Sequence, residues 1–135
     1  RNMINDKEIK THKNIHILKP LGFSDYNCLQ MNSFAVLSDS GTINEESSIL
    51  NFRALNLREA HERPEAMEEA SVMMVGMNTD RIIQGLTELS RQEITENRNF
   101  REVSDYSMPN VSLKLVRIII SYVDYVNQNI YKKFN

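Results

Sequence analysis

A turn of small polar residues lies between an apolar run and a helical pattern. Residues 34–37 are apolar, and residues 38–42 supply two serines, an aspartate, a glycine and a threonine before Ile43. We predict a buried strand that enters a tight turn and then a helix, which leaves backbone N–H groups at the helix start unpaired. These groups and the positive end of the helix dipole favour an anion such as a phosphate or diphosphate. Glu46, on the first turn of that helix, could accept hydrogen bonds from sugar hydroxyls.

Two arginines follow the next predicted strand. Arg58 and Arg63 could add positive charge and forked N–H donors to a bound phosphate. Because the carboxyl ends of parallel strands lie at one edge of a sheet, we expect this loop to lie near the turn. Serine–glycine turns before helices are common, so a plain strand-to-helix connection remains an alternative. The pattern favours binding of a nucleotide diphosphate over a complete catalytic site.

Catalytic and metal-binding patterns are scarce in the sequence. His12, His16 and His61 fall in a polar leading stretch, a predicted strand and a loop, and we expect structural or surface roles for them. No P-loop, no serine–histidine–aspartate order and no metal-ligand spacing occurs in the sequence. We therefore expect neither a metal nor a cofactor.

Composition points to one globular domain. The 135 residues are 41% hydrophobic and 25% charged, which is typical of a chain with its own core. The formal net charge of −2 lacks the concentrated basic field of a nucleic-acid or membrane-surface protein, so neither partner is expected. Cys28 cannot form an intrachain disulfide, and a reducing cytoplasm is the simplest location. We expect Cys28 to pack in the core.

The ends of the sequence add two expectations. The chain starts at Arg1 without a methionine and with a polar stretch, so it could be a fragment of a longer protein. No apolar segment at its start resembles a signal peptide, and no apolar run approaches membrane-spanning length.

Strand and helix patterns alternate along the chain, joined by short connections. We predict strands at 14–18, 34–38, 54–57 and 71–75, helices near 25–31, 42–50, 64–69 and from 79, and a polar surface connection at 95–107. This order predicts an α/β domain with a Rossmann-like parallel sheet.

A long helix is predicted at about 112–131. Its broad apolar face contains Leu115, Val116, Ile119, Ile120, Val123, Val126 and Ile130. Such a width favours a packing partner outside these residues. The alternative is a core helix of this same domain.

Two motifs at matching separation resemble a known family. The segments 37–47 (LSDSGTINEES) and 58–65 (REAHERPE) resemble the C-terminal half of the non-hydrolysing UDP-N-acetylglucosamine 2-epimerases. The resemblance implies a glycosyltransferase-B-like fold of two Rossmann-like domains. Residues 1–108 would form the UDP-binding domain, and the helix in 109–135 would pack back on the N-terminal domain.

The resemblance also implies roles for particular residues. Ser40, Gly41 and Thr42 would hold the diphosphate of UDP, and Glu46 would accept from the ribose hydroxyls. Arg63 would complete the nucleotide pocket, and Tyr26 would lie near the uracil. The catalytic carboxylates and histidine of the family lie upstream of Arg1, so the resemblance places no catalytic residue in this chain. Alone, the chain should bind UDP weakly and should not catalyse the epimerase reaction.

A narrower branch is indicated by two further stretches. Residues 105–112 (DYSMPNVS) and 119–127 (IISYVDYVN) resemble enzymes that form UDP-N-acetyl-L-fucosamine from UDP-2-acetamido-2,6-dideoxy-L-talose for bacterial capsule or O-antigen. The full-length protein would be a homodimer acting on a UDP-sugar. The alternatives are an epimerase of UDP-N-acetylglucosamine and UDP-N-acetylmannosamine, half of a glycosyltransferase, or a binding module without chemistry.

Overall fold

Three short parallel strands form the centre of the fold. The structure is a computed structural model and describes residues 12–60, 62–93 and 98–133. Strands β1 (Val36–Ser38), β2 (Ala54–Asn56) and β3 (Met73–Met74) lie in the order β1-β2-β3. Val36 pairs with Ala54, and Leu55 pairs with Met73. The predicted parallel sheet is confirmed.

Helices connect and flank these strands. Helix α2 (Ile43–Leu50) joins β1 to β2, and α3 (Pro64–Glu68) joins β2 to β3. The other described helices are α1 (Phe23–Asn32), α4 (Thr79–Ser90) and α5 (Val111–Asn129). All five predicted helices therefore appear, and each begins within two residues of its expected start.

The two faces of β2 are covered by different helices. Ala54 packs in a buried cluster with Ile43 of α2 and with Phe52 and Val72. The next residue of the strand, Leu55, faces α4, where a Cβ on Gly85 would lie 3.0 Å from its Cδ2 atom. Because neighbouring strand residues point to opposite faces, α2 and α4 cover opposite sides of the sheet. The fold is thus a layered α/β domain.

The ends of the helices follow local sequence signals. Asn78 caps α4, since its side chain accepts a hydrogen bond from the Arg81 amide at 3.1 Å. Helix α2 ends at Asn51, whose left-handed backbone (φ 55°) suits asparagine. Pro64 begins α3, where its missing N–H costs no helical hydrogen bond.

Helix α5 contributes no buried residue. Its predicted apolar face is exposed, with Ile119 and Ile120 at 56% and 69% of their full surface. The alternative that this helix belongs to the core of the same domain is therefore wrong for the described residues.

The structure corrects three further expectations. Residues 14–18 form no strand, and Ile15, Ile17 and Leu18 are exposed, since no strand of the described chain pairs with them. His16 lies in this irregular segment. Cys28 is exposed rather than in the core, because α1 buries Gln30 instead.

The predicted surface connection at 95–107 is also partly wrong. Val103 is 2% exposed, and its amide donates to the Ser48 hydroxyl of α2 at 3.0 Å. Arg98 donates to the carbonyl groups of Ser48 and Ile49 at the end of α2, where a cation is favoured. The segment therefore completes the covering of α2. Residues 94–97 lie outside the described residues.

None of the helices in the described parts of the chain has the length and apolar character needed to cross a membrane.

Candidate functional site

The carboxyl ends of the three strands bring the predicted loops to one edge. Strand β1 ends at Ser38 and β2 at Asn56, and these two residues are register partners. The Leu57 amide donates to the Ser38 carbonyl at 2.9 Å, so the loops start side by side. The turn at 39–42 and the loop beginning at Arg58 therefore share one edge, as the sequence predicted.

A chain of hydrogen bonds joins the turn to Glu46. Thr42 Oγ1 donates to Glu46 Oε1 at 2.7 Å, which uses the one hydroxyl proton of threonine. The Ser40 hydroxyl, 3.0 Å from Thr42 Oγ1, is then the donor of that pair. Ser40 Oγ also accepts from the Thr42 amide at 3.3 Å. The predicted diphosphate-binding and ribose-binding residues thus form one polar network.

The start of α2 offers backbone donors beside this network. The Ile43 amide reaches the Ser40 carbonyl at 3.5 Å, and the Glu46 amide donates to the Thr42 carbonyl at 2.9 Å. Between them, the Asn44 amide donates to no protein acceptor in the described part of the chain. A free N–H at a helix start can bind an anion.

Gly41 lies under the Arg58 loop. A Cβ at this position would come within 3.2 Å of Glu62 Oε2 and 3.8 Å of Arg58 Nη1. Arg58 and Glu62 form an ion pair there. Glycine therefore permits the close approach of loop and turn, and the paired side chains of Arg58 and Glu62 lie next to it.

Arg63 is held against α2. Its Nε donates to Glu45 Oε1 at 2.7 Å, and its Nη1 donates to the Glu62 carbonyl at 3.0 Å. The hydrogen bond and the charge of Glu45 raise the pKa of the Arg63 guanidinium, which stays charged. Arg63 therefore contacts Glu45, the residue that precedes Glu46 in the sequence. A contact between Arg63 and the nucleotide stays a prediction.

Helix α1 places Tyr26 on the same side as Gln30, since residues four apart share a helix face. Gln30 Nε2 donates to Glu46 Oε2 at 2.6 Å. Tyr26 is 41% exposed, so its ring is accessible one turn away from the Glu46 contact. Its predicted place beside a nucleotide and its contact with the uracil stay predictions.

Gln30 was not predicted from the sequence. It is 3% exposed, although α1 has little amphipathic pattern and buries no other residue. No signal in the sequence marks this glutamine, because its burial and its contact with another helix arise only from the packing of the fold.

Tyr106 joins the distal segment to α3. Its hydroxyl donates to Glu65 Oε1 at 3.1 Å. Burial, followed by the hydrogen bond to Glu65 and the negative charge of Glu45, raises the pKa of Tyr106 above its ordinary value. Tyr106 therefore belongs to the polar layer around Arg63, and its hydroxyl stays protonated at neutral pH.

His12 and His16, the histidines that the structure describes, are exposed and make no hydrogen bond to this site. His12 is exposed and accepts a hydrogen bond from the Asn14 amide at 3.3 Å, and His61 lies outside the described residues. Within the described ranges, no cluster of three or more histidine, cysteine, aspartate or glutamate side chains could hold a metal ion. The arrangement suits binding of an anionic, hydroxyl-bearing ligand.

Comparison with known proteins gives the family. The family model for UDP-N-acetylglucosamine 2-epimerase matches residues 1–120. The UDP-N-acetylglucosamine 2-epimerase of Methanocaldococcus jannaschii is 30% identical over 112 residues. This match covers 83% of the chain and 29% of that protein, so the chain spans less than a third of the length of this curated relative.

Solved structures agree with the fold. The UDP-N-acetylglucosamine 2-epimerase of Rickettsia bellii is 43% identical with a TM-score of 0.79, over 98% of this chain and 34% of that chain. The M. jannaschii enzyme in complex with UDP-GlcNAc and UDP is 27% identical with a TM-score of 0.70, over 89% and 32% respectively. This likeness and the parallel sheet confirm the predicted glycosyltransferase-B-like α/β class. The chain belongs to the UDP-N-acetylglucosamine 2-epimerase family.

Proposed function

We propose that this chain is the nucleotide-binding half of a UDP-sugar 2-epimerase. The observation that carries the proposal is the network of Ser40, Thr42 and Glu46 at the carboxyl edge of a parallel sheet. Such an edge is where open α/β folds bind ligands. The related M. jannaschii structure contains UDP-GlcNAc and UDP, which supports a uridine nucleotide as the ligand.

Each residue has a specific role in this proposal. The turn formed by Ser40, Gly41 and Thr42 binds the diphosphate with hydroxyl and backbone donors at the positive end of α2. Glu46 accepts hydrogen bonds from the ribose hydroxyls. Tyr26 lies along the uracil, and Arg63 completes the pocket. Stabilising the leaving UDP is the contribution of these residues to catalysis.

The proposed reaction eliminates UDP across C1–C2 of the sugar and adds it back. A base removes the C2 proton, the C1–O bond to UDP breaks, and a glycal forms. Re-addition of UDP at C1, with protonation of C2 from the opposite face, inverts C2. We place the acid and base in residues upstream of Arg1, so this chain alone binds UDP weakly and shows no epimerase activity.

For the sugar, we propose that the full-length enzyme converts UDP-2-acetamido-2,6-dideoxy-L-talose to UDP-N-acetyl-L-fucosamine. We place this reaction in the bacterial cytoplasm, where its product would serve the synthesis of capsule or O-antigen. The stretches 105–112 and 119–127 support this assignment by resemblance. The contact of Tyr106 with Glu65 of α3 supports a role for the first stretch beside the proposed pocket.

Helix α5 supports a two-domain protein. Its exposed apolar face would be covered by the N-terminal domain in the full-length protein, which we propose to be a homodimer. We propose residues 1–108 as the UDP-binding domain and 109–135 as the segment that crosses back.

Incubation of the full-length protein with candidate UDP-sugars in deuterated water tests the reaction. We expect deuterium at C2 of the L-talo substrate and of its product, because the proton that returns to C2 comes from solvent. Label in UDP-N-acetylglucosamine instead would assign the other sugar. Absence of label in every UDP-2-acetamido sugar would refute the epimerase proposal.

A further inference from the structure

Gln30 is a buried polar residue on a helix that buries no other residue. Its side chain is 3% exposed, and its Oε1 atom is buried without a hydrogen-bond partner among the described residues. A buried acceptor without a partner is destabilising, and a leucine at this position would avoid that cost. A glutamine at this position therefore indicates a role beyond packing.

The hydrogen bond from Gln30 has a fixed direction. A carboxylate can only accept, so the amide nitrogen of Gln30 must face Glu46 Oε2, at 2.6 Å. Thr42 Oγ1 donates to the other oxygen, Oε1, at 2.7 Å. The Glu46 carboxylate is thus held from α1 on one side and from the turn on the other.

We infer that Gln30 is a positioning residue that fixes the Glu46 carboxylate for recognition of the ribose. This inference rests on the proposed function. Because Gln30 occupies Oε2, Oε1 lies on the Thr42 side, next to the predicted diphosphate turn. The ribose of a nucleoside diphosphate is attached to its diphosphate, so an acceptor on this side is placed for the ribose hydroxyls.

The same contact connects α1 to the site. Gln30 is the sole buried residue of α1, and Tyr26 lies one turn away on the same face. The Gln30–Glu46 hydrogen bond therefore sets the distance between the predicted base-binding and ribose-binding positions. Gln30 determines selectivity for a ribonucleotide without contacting it.

The test compares binding of UDP and 2′,3′-dideoxy-UDP to the full-length protein by calorimetry. Gln30→Met removes the donor at similar length, and Gln30→Asn keeps an amide but is too short to reach Glu46. Met31→Leu, on the exposed side of α1, is the matched control. Melting temperatures establish that each variant is folded.

We expect the wild-type protein to prefer UDP by roughly 10-fold or more, which is typical of hydrogen bonds to a charged acceptor. The preference should fall to within about 3-fold in both Gln30 variants, since a misplaced carboxylate loses part of these bonds. It should persist in Met31→Leu. A general structural role for Gln30 would weaken both ligands equally and leave the ratio unchanged.

The outcomes separate this inference from the proposed function. A wild-type preference that survives in folded Gln30→Met or Gln30→Asn overturns the role of Gln30 and leaves nucleotide binding intact. Equal binding of the two ligands by the wild-type protein contradicts the ribose role of Glu46. Absence of UDP binding altogether contradicts the proposed function.

Discussion

Ser40 connects the backbone of the turn with the side chains of the site. Its hydroxyl donates to Thr42 Oγ1 at 3.0 Å and accepts from the Thr42 amide at 3.3 Å. A diphosphate bound at the turn would gain a hydroxyl donor from Ser40, while Thr42 would stay next to Glu46. The loss of this single oxygen should therefore weaken nucleotide binding.

Ser40→Ala is expected to weaken UDP binding by the full-length protein about 10-fold, the effect of one hydrogen bond to a charged group. Calorimetric titration with UDP measures the change. Ser90→Ala, which removes an exposed hydroxyl at the end of α4, serves as the control and should bind normally. Wild-type affinity in a folded Ser40→Ala protein would show that the diphosphate lies elsewhere.

The residues of the site could be predicted to different extents. Ser40, Gly41, Thr42 and Glu46 follow one strand in a local pattern, so their proximity is set by the turn itself. Gln30 lies 16 residues before Glu46, and no local pattern reports a contact between two helices. Arg63 was predicted near the pocket, but its pairing with Glu45 depends on the packing of α3 against α2.

At the scale of elements, α4 packs closely on β2 because Gly85 has no side chain. A Cβ at this position would lie 3.0 Å and 3.2 Å from the two Cδ atoms of Leu55 and 3.2 Å from Val75 Cγ1. A larger residue would push the helix away from the sheet.

Gly85→Leu is expected to lower the free energy of unfolding by about 1–3 kcal/mol, the typical cost of overpacking a core. Urea unfolding followed by circular dichroism measures it. The control is Thr87→Leu on the exposed side of α4, which should change stability by less than ~0.5 kcal/mol. Equal stability of the two variants would contradict the close packing of α4 on Leu55.

Tyr106 gives the contact between the distal segment and α3 a pH dependence. Its folded-state pKa lies above its ordinary value because of burial and Glu65. Its contribution to stability is therefore complete below the unfolded-state pKa of about 10 and is lost as the pH rises further.

Tyr106→Phe is expected to remove part of the loss of stability that the wild-type protein shows between about pH 10 and pH 12, since no phenol remains to ionise at this position. Unfolding free energies measured across that range test this. Tyr122→Phe, an exposed tyrosine of α5, should retain the wild-type slope. If the unfolding free energy of Tyr106→Phe fell with pH as steeply as that of the wild-type protein, folding would not raise the pKa of Tyr106.

Strands and helices were predictable where local pattern decides them. The apolar runs of β1 and β2, the asparagine cap of α4 and Pro64 of α3 all give local signals, and these elements appear as expected. The apolar alternation at 14–18 gives the same signal, but a strand also needs a neighbouring strand, which the described residues do not supply. Val103 was missed because the few apolar residues of this segment, such as Phe100 and Val103, are separated by charged residues and form too short a pattern to indicate burial.

At the scale of the whole molecule, α5 determines how the chain behaves in solution. Its apolar residues are exposed, including Leu113, Leu115 and Tyr122 at 62%, 55% and 58% of their full surface. An apolar surface of this kind favours association.

The isolated chain is expected to self-associate through α5. Sedimentation at increasing protein concentration should show species larger than a monomer. Replacing Ile119 and Ile120 by lysine should shift the distribution toward monomer, whereas Lys114→Glu on the same helix should not. A clean monomer of the wild-type chain at high concentration would contradict an exposed docking face on α5.

The turn between β1 and α2 carries the central claim, and a crystal structure of the full-length protein with UDP tests it most directly. We expect the diphosphate within hydrogen-bond distance of the Ser40 hydroxyl and of the backbone amides from Thr42 into the start of α2, with the ribose hydroxyls on Glu46. A diphosphate bound away from this turn, or a turn filled by protein side chains in the complex, would contradict the account.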